Sequence, residues 1–203
     1  MTKTYKFIHT TFMGIVSLIY RLKVIGAENE PSEGALLVCS NHISAADPVL
    51  ISAATKNQIC YMAKKELFKI PIFSTFLRNL GVFPVDRGGK DVSAVKKAIK
   101  LLEDGSRVGI FPQGTRRPGK NPRDTELKNG AAMIAVRANA DVLPVYIHRK
   151  DNTPKLFRKT TVIIGKPIKF ADLGYDPDKT GEYNRIVNVI FDEVCKLGEG
   201  LEK

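Results

Sequence analysis

Short apolar runs and helix-patterned stretches alternate along most of this chain, and several of the apolar runs end on a polar motif. Ala35-Leu36-Leu37-Val38-Cys39 reads as a buried strand, followed by Asn41-His42-Ile43-Ser44-Ala45-Ala46-Asp47-Pro48 and a helix from about 48 to 56. Ile59 to Ala63 is a second apolar strand. One or two short helices follow between Lys64 and Leu80, broken at Pro71 and ended by Gly81, before a strand at Val82 to Val85. The spacing predicts a helix over 91–104, capped by Asp91 and stopped by Gly105, with Val92, Val95, Ile99 and Leu102 on its inner face. Arg107 to Phe111 is a strand, 129–139 a helix, and Val142 to Ile147 and Thr161 to Ile164 are strands. A last helix from about 181 to 197 carries the stripe Tyr183, Ile186, Val187, Ile190, Phe191 and Val194. Strands separated by helices predict an α/β fold, a mostly parallel central sheet flanked by helices. Ligand crevices in such sheets lie at the carboxyl ends of the strands. His42, Asp86-Arg87 and Gln113 to Arg116 each follow such an end.

The pair His42 and Asp47 is the first candidate for chemistry. Asp47-Pro48 reads as a helix start with Asp47 as N-cap and Pro48 at the first helical position. If the intervening residues turn, a carboxylate on one ring nitrogen fixes the tautomer and stabilises the imidazolium. The other nitrogen is then free to take a proton, which makes a general base. Taken alone, the pair fits a helix-capping Asp beside a surface His better.

Other clusters point to fewer chemistries. The three cysteines, Cys39, Cys60 and Cys195, are odd in number and widely spaced, and they fall on two buried strands and a helix. They read as inert core thiols in a reducing compartment. Three scattered His and no clustered carboxylates point away from a catalytic metal. The net charge of +11 calls for an anionic partner. No Trp, no basic stripe interleaved with aromatics and no nucleic-acid module argue against nucleic acid.

The amino terminus favours a membrane surface instead. Residues 4 to 22 are helical in pattern, with Tyr5, Ile8, Phe12, Ile15, Val16 and Ile19 on one face and Lys3, Lys6, Thr10, Ser17 and Arg21 on another. The helix is too interrupted to span a bilayer and lacks a signal-peptide cleavage site. Apolar breadth flanked by Lys and Arg suits a helix lying in the membrane interface; the alternative is a helix packed on the domain's own core. The expected organisation is an amphipathic membrane-associating helix over 1–24 and a catalytic domain over 25–203, with no linker or repeat dividing the latter.

Two further segments place an Arg after a strand: Gly81-Val82-Phe83-Pro84-Val85-Asp86-Arg87 and Phe111-Pro112-Gln113-Gly114-Thr115-Arg116. The planar fork of Arg binds two phosphate oxygens at once, and Gly114 lets backbone approach a ligand closely. Lys128, just before Asn129-Gly130-Ala131-Ala132, adds charge at a helix N-terminus.

With these motifs in order, residues 20 to 170 resemble the glycerolipid acyltransferase family. The Asn-His-x-x-x-x-Asp motif of that family is matched by Asn41, His42 and Asp47, and its second motif by the segment ending in Arg87. Its Phe-Pro-Glu-Gly-Thr-Arg motif is matched by 111–116 except at Gln113, and its apolar motif around a Pro by Val142 to Ile147.

The resemblance implies direct transfer of a fatty acyl group from acyl-CoA or acyl-carrier protein to the free sn-2 hydroxyl of lysophosphatidate, making phosphatidate. His42 would take the hydroxyl proton and Asp47 would orient and charge-stabilise His42. Arg87 and Arg116 would hold the acceptor phosphate, with Gly114 and Thr115 shaping the pocket and Lys128 beside it. No cofactor and no covalent intermediate are called for. The expected partners are the acyl donor, a lysophospholipid acceptor and an anionic membrane, and the expected location is the cytoplasmic face of the cell membrane. Gln113 keeps size and a carbonyl acceptor but removes the family's negative charge, which leaves acceptor identity open. Glycerol 3-phosphate, another lysophospholipid or an ornithine-type lipid are the alternatives. A different class, a non-catalytic basic membrane- or nucleic-acid-binding protein, leaves the His/Asp pair without a role. The run Arg116, Arg117, Lys120, Arg123 and Lys128 is a candidate attractant for headgroups, coenzyme A phosphates or an acidic carrier.

Overall fold

Seven strands form one sheet in the order β1-β7-β6-β2-β5-β3-β4. The structure, a computed structural model, describes residues 14–69, 71–79, 81–85 and 92–201. The strands are β1 Leu22–Ile25, β2 Leu36–Ser40, β3 Ile59–Lys64, β4 Phe83–Val85, β5 Arg107–Ile110, β6 Val142–Arg149 and β7 Thr160–Ile164. Between and after them lie the helices α1 Asp47–Ala54, α2 Pro71–Asn79, α3 Val92–Glu103, α4 Gly130–Arg137 and α5 Glu182–Lys196. All neighbouring strands are parallel except β6 and β7.

β2 and β7 are buried at every position because helices cover both faces. Leu37 and Cys39 point into the core shared with α3, α4 and α5, where Ala98, Ala132, Ile134, Ile186 and Ile190 pack. Leu36 and Val38 point the other way, toward Leu50, Ile51 and Ala54 of α1 and Val16 of the short helix at residues 14–19. Each fully buried Leu or Ile in these layers contributes roughly 1.5–3 kcal/mol by leaving water.

Helix α3 departs from its expected inner face. Ala94, Ala98 and Leu102 are buried, whereas Val92 is exposed. The small Ala94 and Ala98 let the helix lie close to the sheet, and close packing decides the facing more than side-chain hydrophobicity does. Asp91, its expected cap, lies outside the described residues, as do residues 1–13 of the expected membrane helix. Within that helix the described part splits its apolar residues, burying Val16 in the core while Ile15 and Leu18 face solvent.

The helix after β2 covers one face of the sheet and the helix after β5 covers the other. β2 and β5 are neighbours, so their following loops part at the carboxyl edge and open a crevice.

Candidate active site

The loop leaving β2 is pinned before it reaches His42. Asn41 is fully buried, and its side chain bonds the backbone of Ile147 on β6 twice. Its Nδ2 donates to Ile147 O at 3.0 Å and its Oδ1 accepts from Ile147 N at 2.8 Å. The amide thus imitates one more residue of strand pairing and fixes where the chain turns away from the sheet.

His42 follows, 7% exposed. Its backbone N–H donates to Gln113 Oε1 at 2.7 Å and its carbonyl accepts from Arg117 N at 2.8 Å. Its ring stacks on Phe111 with centroids 4.0 Å apart, and Nδ1 lies 2.9 Å from Asp47 Oδ2. The same Oδ2 accepts from Ile43 N at 2.6 Å and Ser44 N at 2.7 Å. Asp47 itself has no exposure to solvent. Held by these two backbone donors, the carboxylate is fixed in direction and acts on the imidazole as an orienting acceptor. Asp47 is therefore not the N-cap. It is the first residue of α1, Ala46 occupies the cap position, and Pro48 comes second in the helix. Its carboxylate turns back over the preceding loop, which is how residues five apart meet.

Sequence reasoning missed the other partner of Asp47. The Arg149 guanidinium, at the end of β6, lies 3.4 Å from Asp47 Oδ1, and both side chains are buried. Burial pushes the Arg149 pKa down and the Asp47 charge opposes that. The guanidinium also sits over the Tyr20 ring at 5.6 Å. A basic residue at the carboxyl end of a strand was the usable signal. Reading the strand as ending at Ile147 hid it.

Gln113 is 1% exposed and braces two loops. Its Oε1 holds the His42 backbone, and its Nε2 donates to Thr125 Oγ1 at 2.7 Å, whose hydroxyl donates to Pro122 O at 2.6 Å. The carbonyl acceptor that Gln shares with Glu is the part in contact with His42. Gln113→Glu keeps that acceptor and is expected to retain acyl transfer within about tenfold. Gln113→Ala strands the buried His42 N–H at roughly 1–3 kcal/mol and is expected to lower both melting temperature and kcat. Thermal denaturation and initial rates on the two variants check this.

Gly114 adopts φ +67° in a turn where its N–H bonds Phe111 O at 2.9 Å. A Cβ there would sit 3.0 Å from Lys128 Cγ. The turn and the packed Lys128 stem thus account for the glycine, rather than a ligand against the backbone. Gly114 and Lys128, together with His42, line a cavity of about 460 Å³. Its other walls are mostly apolar, including Met62, Val85, Val95, Ile110 and Ala131.

Thr115 and Arg116 are exposed and do not line that cavity. Arg87 lies outside the described residues. The basic run after the third motif is also thinner than it reads. Arg123 is tied to Asp192 and Glu199 of the carboxy-terminal region, and Lys128 pairs with Glu126. Burial pushes all three thiols up, Cys195 to about 11, and Cys39, three residues before His42, furthest of all. None is a ready nucleophile. Among the described residues, no three His, Cys, Asp or Glu are grouped so as to hold a metal.

A buried His/Asp pair whose imidazole lines an apolar cavity can take a proton from a hydroxyl brought into that cavity. The chain matches the family model described as Acyltransferase over residues 21–148. It is 36% identical over 178 residues to the 1-acyl-sn-glycerol-3-phosphate acyltransferase of Bacillus subtilis, covering 86% of this chain and 87% of that one. It is 32% identical over 188 residues to the enzyme of the same name from Borreliella burgdorferi, covering 90% and 73%. The crystal structure of the 1-acyl-sn-glycerophosphate (LPA) acyltransferase PlsC from Thermotoga maritima matches it with a TM-score of 0.76 at 26% identity. That match covers 98% of this chain and 79% of the other.

Proposed function

The chain belongs to the acyltransferase family, and from that premise we propose that it acylates the free sn-2 hydroxyl of lysophosphatidate to make phosphatidate. It is an acyltransferase of phospholipid biosynthesis whose substrates are an acyl donor and a lysophospholipid acceptor. The observation that carries the residue assignment is the His42–Asp47 pair at 2.9 Å beside the apolar cavity.

In the proposed reaction the second ring nitrogen of His42, Nε2, takes the proton of the acceptor hydroxyl as its oxygen attacks the thioester carbonyl carbon. The tetrahedral adduct collapses by breaking the C–S bond, and the imidazolium returns the proton to the leaving thiolate. Asp47 orients the ring and stabilises its charged form, and Arg149 holds Asp47 from its other oxygen. Asn41 and Gln113 position the loop that carries His42. The apolar cavity takes a fatty chain, worth about 0.8 kcal/mol for each CH₂ it removes from water. Lys128 is, among the described residues, the Lys or Arg that lines that cavity, and it is proposed to meet the acceptor phosphate. Arg116, with Thr115, and Arg87 complete the proposed phosphate site on the strength of the motif match, and Gly114 shapes the turn that leads to them.

The donor is acyl-CoA or acyl-carrier protein, and the working surface is the anionic cytoplasmic face of the cell membrane. None of the described helices is long and apolar enough to cross a bilayer. No cofactor has a part in the scheme. An acceptor panel with one thioester donor tests the reading. Lysophosphatidate is expected to be converted to phosphatidate faster than glycerol 3-phosphate, other lysophospholipids or an ornithine-type lipid are acylated. Preference for any of those would overturn the acceptor assignment.

A further inference from the structure

The edge of the sheet that carries His42 also carries an apolar tip that none of the described residues covers. β6 runs parallel to β2, so it ends at that edge, and the antiparallel β7 begins there. β1 is parallel to β7, so the residues that precede β1 lie at the same edge. Two segments meet here. The connection from β6 to β7 exposes Leu156 at 59% and Phe157 at 71%, and the helix at 14–19 exposes Ile15 at 54% and Leu18 at 79%. They are joined by backbone hydrogen bonds, Phe157 N to Ile19 O at 2.9 Å and Thr160 N to Tyr20 O at 3.0 Å.

Phe157 holds its large side chain in water while its backbone sits at φ +60°, a region bulky L-residues avoid because the side chain crowds the carbonyl. Among the described residues, neither the strain nor the exposure is offset by a contact. Both are accounted for if an apolar medium covers the tip. The residues around it say which medium: Lys155, Arg158 and Lys159 flank Leu156 and Phe157, Arg21 follows the helix, and all four are exposed. Apolar residues ringed by cations fit a bilayer with anionic headgroups, the rings and chains entering the acyl boundary while the cations meet phosphates.

We propose that Leu156 and Phe157, together with Ile15 and Leu18, form an insertion point that seats the His42 edge on an anionic bilayer. This rests on the lipid-acylating function only for its purpose, since the docking itself requires no turnover. Membrane attachment thereby acquires a site in the β6–β7 connection. It also faces the catalytic edge toward the lipid. The Tyr20 ring, beside this tip, is the one that Arg149 covers on its way to Asp47.

The chain has no Trp, so Phe157→Trp places a single reporter at the tip of the full-length protein. On adding vesicles of phosphatidylglycerol and phosphatidylcholine, its emission is expected to shift to the blue and to be quenched by chain-brominated lipid. The double variant Leu156→Ser with Phe157→Asn removes the apolar tip and keeps a residue that tolerates positive φ, so its melting temperature is expected to stay at the wild-type value. Its affinity for the same vesicles is expected to fall by roughly tenfold to a hundredfold, the scale of losing two partly buried apolar side chains. Vesicle-bound Phe157→Trp protein with unshifted emission would overturn the proposal. So would a double variant that binds within twofold of wild type, or a wild type that does not bind these vesicles. A blue shift that grows with protein concentration in the absence of lipid would also overturn it, by making the tip an interface between copies. A blue-shifted, vesicle-bound Phe157→Trp variant of a protein that acylates no lysophosphatidate would uphold the docking site and remove only the proposed function.

Discussion

His42→Ala is expected to lower kcat for acyl transfer by ~10²–10⁴-fold, the usual contribution of a positioned proton acceptor, while the protein stays folded. Two of the contacts that hold residue 42 in place are backbone bonds, to Gln113 Oε1 and from Arg117 N, and both survive removal of the ring. Asp47 Oδ2 loses the imidazole but retains Ile43 N and Ser44 N. The space vacated opens onto an existing cavity, so no sealed void is created. The expected loss of stability is therefore about 1–3 kcal/mol, the lost charge-assisted bond and ring stacking together. A rate assay paired with a thermal melt separates the two effects. Near-normal turnover in a folded His42→Ala protein would remove His42 from the chemistry.

The second large effect falls on stability and activity together. Asp47→Asn keeps the shape but deletes the charge opposite Arg149. If the amide oxygen takes over the bonds from Ile43 and Ser44, the NH₂ group must face the guanidinium, donor against donor. Breaking a buried ion pair from one side costs about 3–5 kcal/mol because the remaining charge is stranded. The imidazolium also loses its counter-charge, for an expected rate loss of roughly 10²–10⁴-fold. The double variant Asp47→Asn with Arg149→Met removes the stranded cation, and it is expected to regain most of the stability and none of the rate. Denaturant melts and initial rates on the single and double variants make that comparison. Recovery of both in the double variant would show that Asp47 serves only to neutralise Arg149.

The α/β architecture was legible because strands covered on both faces leave continuous apolar runs, as at Leu36 to Cys39 and Val142 to Ile147. The reversal of β7 left no such mark, since an apolar run has no direction. The position of His42 followed from its strand, and Asn41 and Gln113 were visible as motif residues. Their partners were not, because Ile147 and Thr125 lie 106 and 12 residues away along the chain. Asp47-Pro48 imitated a capping pair, and only the backbone trace shows the carboxylate folded back on His42. Arg149 was hidden by the polar His148 before it, which made the strand look finished. Arg123 read as a free cation because Asp192 and Glu199 are brought to it only by the docking of the last helix.

Direct transfer without an acyl-enzyme is the central claim, and thioester consumption with and without acceptor tests it most directly. Purified protein is mixed with acyl-CoA or acyl-carrier protein alone, and its intact mass and the released thiol are followed. Lysophosphatidate is then added. The expected result is an unmodified protein and an intact thioester until the acceptor arrives, then thiol and phosphatidate released in equal amounts. A protein that gains one acyl mass from the donor alone and passes it to the added acceptor would contradict the mechanism.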